Sequence, residues 1–137
     1  MNRGQYRLLT AEETYLRDGA VELDGMLDLL REALESAKRD GTRVRTCGEM
    51  NWVARSSMPT EHVMTYEARV NEFVPTFQCT LLCVYDLALM RTGMVADILA
   101  THPAAIINGQ LRPNPYYVEP SAFLHMLRQR SANKPLA

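Results

Sequence analysis

Apolar residues recur at intervals of three and four from Leu23 onward: Leu23, Met26, Leu27, Leu30, Leu34 and Ala37, with Arg31, Glu35 and Lys38 on other faces. That period predicts an amphipathic helix. Asp24 is its expected N-cap, and Asp40-Gly41 its end, because glycine accepts the left-handed conformation that closes a helix. Before it, Gln5 to Leu9 reads as a short strand and Tyr15-Leu16-Arg17-Asp18-Gly19 as a turn. After it, Thr42 to Cys47 is rich in β-branched residues and reads as a strand. Ser56 to Glu61 punctuates the chain, and a helix over Glu61 to Phe73 turns Val63, Met64, Tyr66, Val70 and Phe73 toward a core before Pro75 stops it.

Cys79 to Tyr85 is a nearly continuous apolar run, the pattern of a strand covered on both faces. Met94 to Thr101 is a short helix ended by His102-Pro103, and Ala104 to Ile107 a buried strand. Asn108-Gly109 is a strong hairpin signal. Arg112 to Pro120, with three prolines and Tyr116-Tyr117, reads as an extended covering segment. Ser121 is the expected cap of a last helix through Arg128. Strands alternating with helices of crossover length predict an α/β fold, three-layered, with a mainly parallel sheet. Residues 1–131 form one domain in this reading, and 132–137 a flexible tail.

Composition narrows the function. The chain has 137 residues, 47% apolar and 23% charged, the balance of an ordinary soluble globular protein. A formal net charge of −1 with dispersed basic residues argues against direct nucleic-acid binding, which needs clustered cations. No apolar run is long enough to span a bilayer, and no signal peptide precedes the first elements. Three cysteines (Cys47, Cys79 and Cys83) fit neither a disulfide framework nor a CxxC pair, so they read as reduced, buried thiols of a cytoplasmic protein.

Most catalytic chemistry is excluded in turn. Neither GxxxxGK[ST] nor GxGxxG is present, and the scattered glycines offer no nest of N–H groups for phosphates. Without such a clamp, Mg-nucleotide hydrolysis has no basis. His62, His102 and His125 lie in different elements at no metal-ligand spacing, so no metal and no cofactor are expected. His102, before Pro103, is expected to close a helix by bonding free carbonyls. Cys79 and Cys83, four residues apart on a strand, would stand about 13 Å from one another and could not share an ion. No GxSxG elbow is present, and Ser56-Ser57 lack a nearby histidine.

What remains is a cluster at the carboxyl ends of two strands. Glu49 follows one and Asp86 the other, with Trp52 and Tyr85 beside them. Glu67 and Asn71, four apart, share one helix face. Aromatic walls with a few convergent polar groups make small-molecule sites. The ligand-binding candidates are therefore Glu49, Trp52, Arg55, Glu67, Asn71, Tyr85 and Asp86. The alternative is a buried structural bridge from Glu49 to Arg55 or Arg69.

The residues Arg45, Gly48-Glu49-Met50-x-Trp52, Tyr66-Glu67, Asn71, Cys83-Val84-Tyr85-Asp86, His102-Pro103, Asn108-Gly109 and Asn114-Pro115-Tyr116-Tyr117 carry a resemblance. In order and rough spacing they resemble the methanogen/methylotroph sensory domain, abbreviated MEDS, first associated with a dichloromethane-responsive repressor. The resemblance spans about Tyr15 to Leu124, the C-terminal two thirds of that domain. It implies a degenerate relative of the circadian-clock and recombinase ATPase fold (KaiC/RecA-like), here incomplete and lacking the phosphate-loop half. It further implies a non-catalytic sensory or signal-relay module that binds a small organic ligand. A regulatory protein partner, such as a histidine kinase or an anti-sigma module, is the other expected occupant. Loss of the front half would expose an apolar face and an unpaired edge, for which a two-fold homodimer is the expected remedy. Two other readings stay open: a scaffold retaining the fold without a ligand site, and a residual enzyme working through Glu49 and Asp86.

Overall fold

The computed structural model describes residues 6–17, 20–21 and 23–133. Its elements run β1 (Leu16–Arg17), β2 (Ala20–Val21), α1 (Leu23–Arg39), β3 (Val44–Glu49), α2 (Trp52–Arg55), α3 (Thr60–Phe73), β4 (Cys79–Val84), α4 (Thr92–Ala100), β5 (Ala104–Ile107), β6 (Gln110–Pro113) and α5 (Pro120–Ala132). A short 3-10 turn, Val74–Thr76, carries Pro75 and ends α3 where the sequence places the stop.

The class is mixed α/β, with parallel pairing confined to one pair. The described strands form three two-stranded sheets: β1 with β2, β3 with β4, and β5 with β6. Only β3 and β4 run parallel, in a register that sets Val44 opposite Cys79 and Glu49 opposite Val84. β5 and β6 make an antiparallel hairpin around Asn108 and Gly109, whose φ values of 50° and 74° are those of a tight hairpin turn. Both hairpin strands are largely exposed, so Ala104–Ile107 is not the buried strand its apolar letters suggest. An apolar run identifies a strand but does not guarantee a cover for it.

β4 makes the same point. Cys79, Leu81 and Cys83 face inward and are partly buried, whereas Leu82 (40% exposed) and Val84 (43%) face outward. Helices cover one face of the β3–β4 pair. The third layer expected from the unbroken apolar run is not found among the described residues.

The core lies on the inward side. Leu27, Leu30 and Leu34 of α1, Val63, Met64, Tyr66, Ala68 and Val70 of α3, and Phe123 and Leu127 of α5 form one buried cluster with Met50, Trp52 and Val53. Arg31 lies over the Phe73 ring at 5.0 Å, and Lys38 over Phe77 at 5.5 Å, tying the second half of α1 to the end of α3 and to the segment that follows it.

Several boundaries differ from expectation for local reasons. Tyr6 to Leu9 has no regular structure, and Gln5 lies outside the described residues. β3 starts two residues later than expected because Gly41, at φ 64°, closes α1 and Thr42 bonds back to Ala37. Asp24 sits inside the first turn of α1 rather than at its cap and pairs with Arg69 at 2.6 Å. Trp52–Arg55 forms a one-turn helix between β3 and α3, an element not expected from the sequence. Glu119 precedes α5 as its N-cap residue, so Ser121 lies within the helix, which reaches Ala132 instead of Arg128. Asp18, Gly19 and the final 134–137 lie outside the described residues.

Candidate functional site

Parallel pairing decides where the two candidate carboxylates stand. Glu49 ends β3 opposite Val84, and Asp86 lies just beyond β4, so both emerge at the same end of the pair. Asn51 joins them. Its backbone N–H donates to Glu49 Oε1 at 2.9 Å, and its Oδ1 accepts the N–H of Asp86 at 2.7 Å. Asp86 Oδ1 then accepts the N–H of Ala88 at 3.0 Å. Both carboxylates are exposed, and Glu49 makes no ion pair among the described residues. Arg55 is exposed at the end of α2, and Arg69 is engaged by Asp24. The buried bridge from Glu49 to either arginine is therefore overturned.

Trp52 behaves differently. The single turn of α2 folds it inward to 3% exposure, where it stacks on Tyr15 at 4.8 Å between centroids. Tyr66 meets the same Tyr15 ring edge-on at 5.9 Å. Gly48 makes room for this group, since a Cβ there would lie 3.2 Å from Tyr15 Oη and 3.7 Å from Met50 Sδ. Gly48→Ala should displace the phenol by a few tenths of an ångström. The expected cost is about 1 kcal/mol, with a shift in Trp52 emission; an unchanged spectrum and unchanged stability would contradict this contact. Trp52 Nε1 is buried without a hydrogen-bond partner, alone in this among buried side-chain nitrogens and oxygens of the described residues. Leaving such a donor unbonded costs about 1–3 kcal/mol.

Glu67, Asn71 and Tyr85 form a second group. Glu67 is 3% exposed although carboxylates are rarely so buried. Tyr85 Oη donates to Glu67 Oε1 at 2.6 Å, and the Cys83 thiol lies 3.8 Å from Glu67 Oε2. His102 Nε2 lies 3.8 Å from that same oxygen. Asn71, one turn after Glu67, donates to the carbonyls of Glu67 (3.1 Å) and Thr101 (2.5 Å), fastening α3 to the end of α4. Burial pushes the Glu67 carboxyl above its usual range, opposed by His102 and by the Tyr85 and Cys83 hydrogen bonds. Burial, and then the Glu67 charge, push the Cys83 thiol and the Tyr85 phenol upward.

His102 closes α4 as expected, with Nδ1 at 2.7 Å from the Ile98 carbonyl. Asn114 holds this corner from the other side, donating to the carbonyls of Leu99 (2.6 Å) and His102 (2.7 Å). A family model described as "MEDS: MEthanogen/methylotroph, DcmR Sensory domain" matches residues 1–103. The chain belongs to the MEDS family. No curated protein and no solved structure matches it significantly.

All seven candidate residues fall inside the MEDS match, and the fold sorts six of them into three places. Glu49 and Asp86 are linked on an exposed rim, Trp52 is stacked beneath with Tyr15, and Glu67, Asn71 and Tyr85 are bonded together in the interior. Arg55 stands apart. Two clefts run along α3: one of about 310 Å³ bounded by α1 residues and Tyr66, the other of about 460 Å³ reaching Leu124 and Leu127. Neither is lined by any of the seven. Reading the sequence missed Tyr15, Cys83 and His102 as neighbours of this region. Alternation along β4 puts Cys83 and Tyr85 on one face, and that was the available signal.

Proposed function

We propose that this MEDS domain is a non-catalytic sensory or signal-relay module that binds a small organic ligand at the strand ends. Family membership supports the sensory role. The observation that carries the ligand is the buried indole N–H of Trp52, which has no hydrogen-bond partner among the described residues. A hydrogen-bond acceptor delivered beside the Tyr15–Trp52 stack would satisfy it. Glu49 and Asp86 would form the polar rim of that site, and Glu67, Asn71 and Tyr85 its inner support, with Arg55 outside it. Binding there would shift the segment from Asn51 to Thr60 relative to Asp86, the differential contact a sensor needs.

In this reading the β3–α2–α3–β4 crossover is a remnant of a KaiC/RecA-like sheet. The module works in the cytoplasm as part of a transcription-regulatory or kinase pathway, and a histidine kinase or anti-sigma module receives its signal. A scaffold role is the second reading. It is favoured by the outward apolar side chains Leu82, Val84, Ile106, Ile107 and Leu111, which a homodimer would cover. No described helix is long and apolar enough to cross a membrane.

Trp52 is the sole tryptophan, so its emission reports the site directly. Titration with short halogenated and oxygenated organic compounds should give a saturable change for at least one class, matched by heat in calorimetry. Silence in both measurements, with a dimer in sedimentation, would replace the sensor by the scaffold.

A further inference from the structure

Glu67, Cys83 and His102 present one donor atom each to a common point, and those three atoms lie within 4.8 Å of one another. They come from three elements, the middle of α3, the inward face of β4 and the residue following the end of α4, so their meeting is a product of the fold rather than of local sequence. We propose that Glu67 Oε2, Cys83 Sγ and His102 Nε2 bind one divalent transition-metal ion, with zinc the ion their donor set fits.

His102 Nδ1 sits 2.7 Å from the Ile98 carbonyl, which can only accept, so Nδ1 carries the hydrogen. In the neutral ring Nε2 is then a lone pair, 3.8 Å from Glu67 Oε2 and available to ligate a cation placed between them.

Zinc bonds of about 2.0–2.3 Å to O, N and S in a tetrahedron set donors about 3.3–3.8 Å apart. Both contacts to Glu67 Oε2, from Cys83 Sγ and from His102 Nε2, are 3.8 Å. A tetrahedral ion therefore draws Cys83 Sγ and His102 Nε2 each a few tenths of an ångström toward Oε2, while those two atoms, within 4.8 Å of one another, close by up to about 1 Å.

Metal-binding imidazoles hand their other N–H to a carbonyl or carboxylate, and metal-binding carboxylates are themselves hydrogen-bonded. Here Ile98 takes the imidazole N–H, and Tyr85 holds Glu67 Oε1 at 2.6 Å, leaving Oε2 for the ion. Asn71 and Asn114 fix the backbone of the His102 corner from both sides. One nitrogen, one sulfur and one oxygen donor form a borderline set that suits zinc or cobalt and disfavours magnesium or calcium. With three protein donors, a fourth tetrahedral position is left for water or an exogenous ligand.

The test uses the whole chain, treated with chelator and then titrated with Co(II). One equivalent should produce a thiolate-to-cobalt charge-transfer band together with visible bands of tetrahedral intensity, and Zn(II) should bleach them stoichiometrically. Cys83→Ser should abolish the charge-transfer band, and His102→Gln should weaken binding by roughly 100-fold or more, comparing a lost ligand with the 10–100-fold cost of losing its support. Cys47→Ser, on the outward face of β3, should leave the spectrum unchanged. A folded wild-type chain that gives no such band overturns the proposal, whatever the variants do. So does a band that survives Cys83→Ser and disappears in Cys47→Ser.

Discussion

Phe123→Ala should lower the free energy of unfolding by about 3–5 kcal/mol, the range for emptying a fully buried aromatic site. Phe123 is 0% exposed and belongs to the same buried cluster as Val63 and Met64 of α3. The measurement is chemical denaturation followed by circular dichroism, with Met126→Ala on the outward side of α5 as a comparison that should change little. A loss below about 1 kcal/mol, the ordinary scale of single substitutions, would mean that α5 is a detachable appendage. The family match ends at residue 103, before α5 begins. A large loss would therefore show that this helix is as much a part of the folding unit as the matched region.

The second large effect is expected in alkali. Burial pushes the Tyr15 phenol up to about 12, with the Tyr66 hydrogen bond opposing and the charges of Glu67 and Cys83 adding to the rise. Burial, then the neighbouring Tyr15 and Glu67, push Tyr66 up as well. The sign follows from proton counting. Above pH 10 the unfolded chain releases these protons while the folded chain keeps them, so the unfolded state binds fewer protons and stability falls as pH rises. Below pH 10 the stabilisation is fully present. Between pH 10 and about 12, Tyr15 alone should remove roughly 2–3 kcal/mol, at 1.36 kcal/mol for each decade. Tyr66 extends the loss to higher pH. Tyrosinate absorbance followed alongside circular dichroism should show part of the ionisation arriving together with unfolding. Ionisation of all six tyrosines ahead of any structural change would contradict the burial of this pair. Tyr66→Phe should make the decline shallower, because one reluctant phenol is gone.

Local chemistry made much of this fold legible. The three- and four-residue spacing from Leu23, Gly41 after it, Pro75, His102-Pro103 and Asn108-Gly109 act within a few residues, and each marks an observed boundary. Long-range cover was illegible. Nothing in Ala104-Ala105-Ile106-Ile107 says that no element will lie over it, and the unbroken run of β4 concealed an alternation visible only in its burial. At the site, the shared end of Glu49 and Asp86 followed from strand order, and the shared face of Glu67 and Asn71 from helix period. The depth of these residues did not. Glu67 is interior because α3 is enclosed by α1, α4 and α5, a property of tertiary packing that periodicity cannot supply. Cys83 and His102 lie 16 and 35 residues beyond Glu67 in the numbering and match no ligand spacing, so only the folded chain brings them together.

Helix α3 is the mechanical hub of the domain. It carries the sequestered Glu67, holds Asn71 against the turn at Thr101, and buries its opposite flank on Phe123 and Leu127. Dense interiors transmit displacement instead of absorbing it. An event that reseats the carboxylate would therefore press α3 against α5, whose outward side a neighbouring molecule could read without touching the interior.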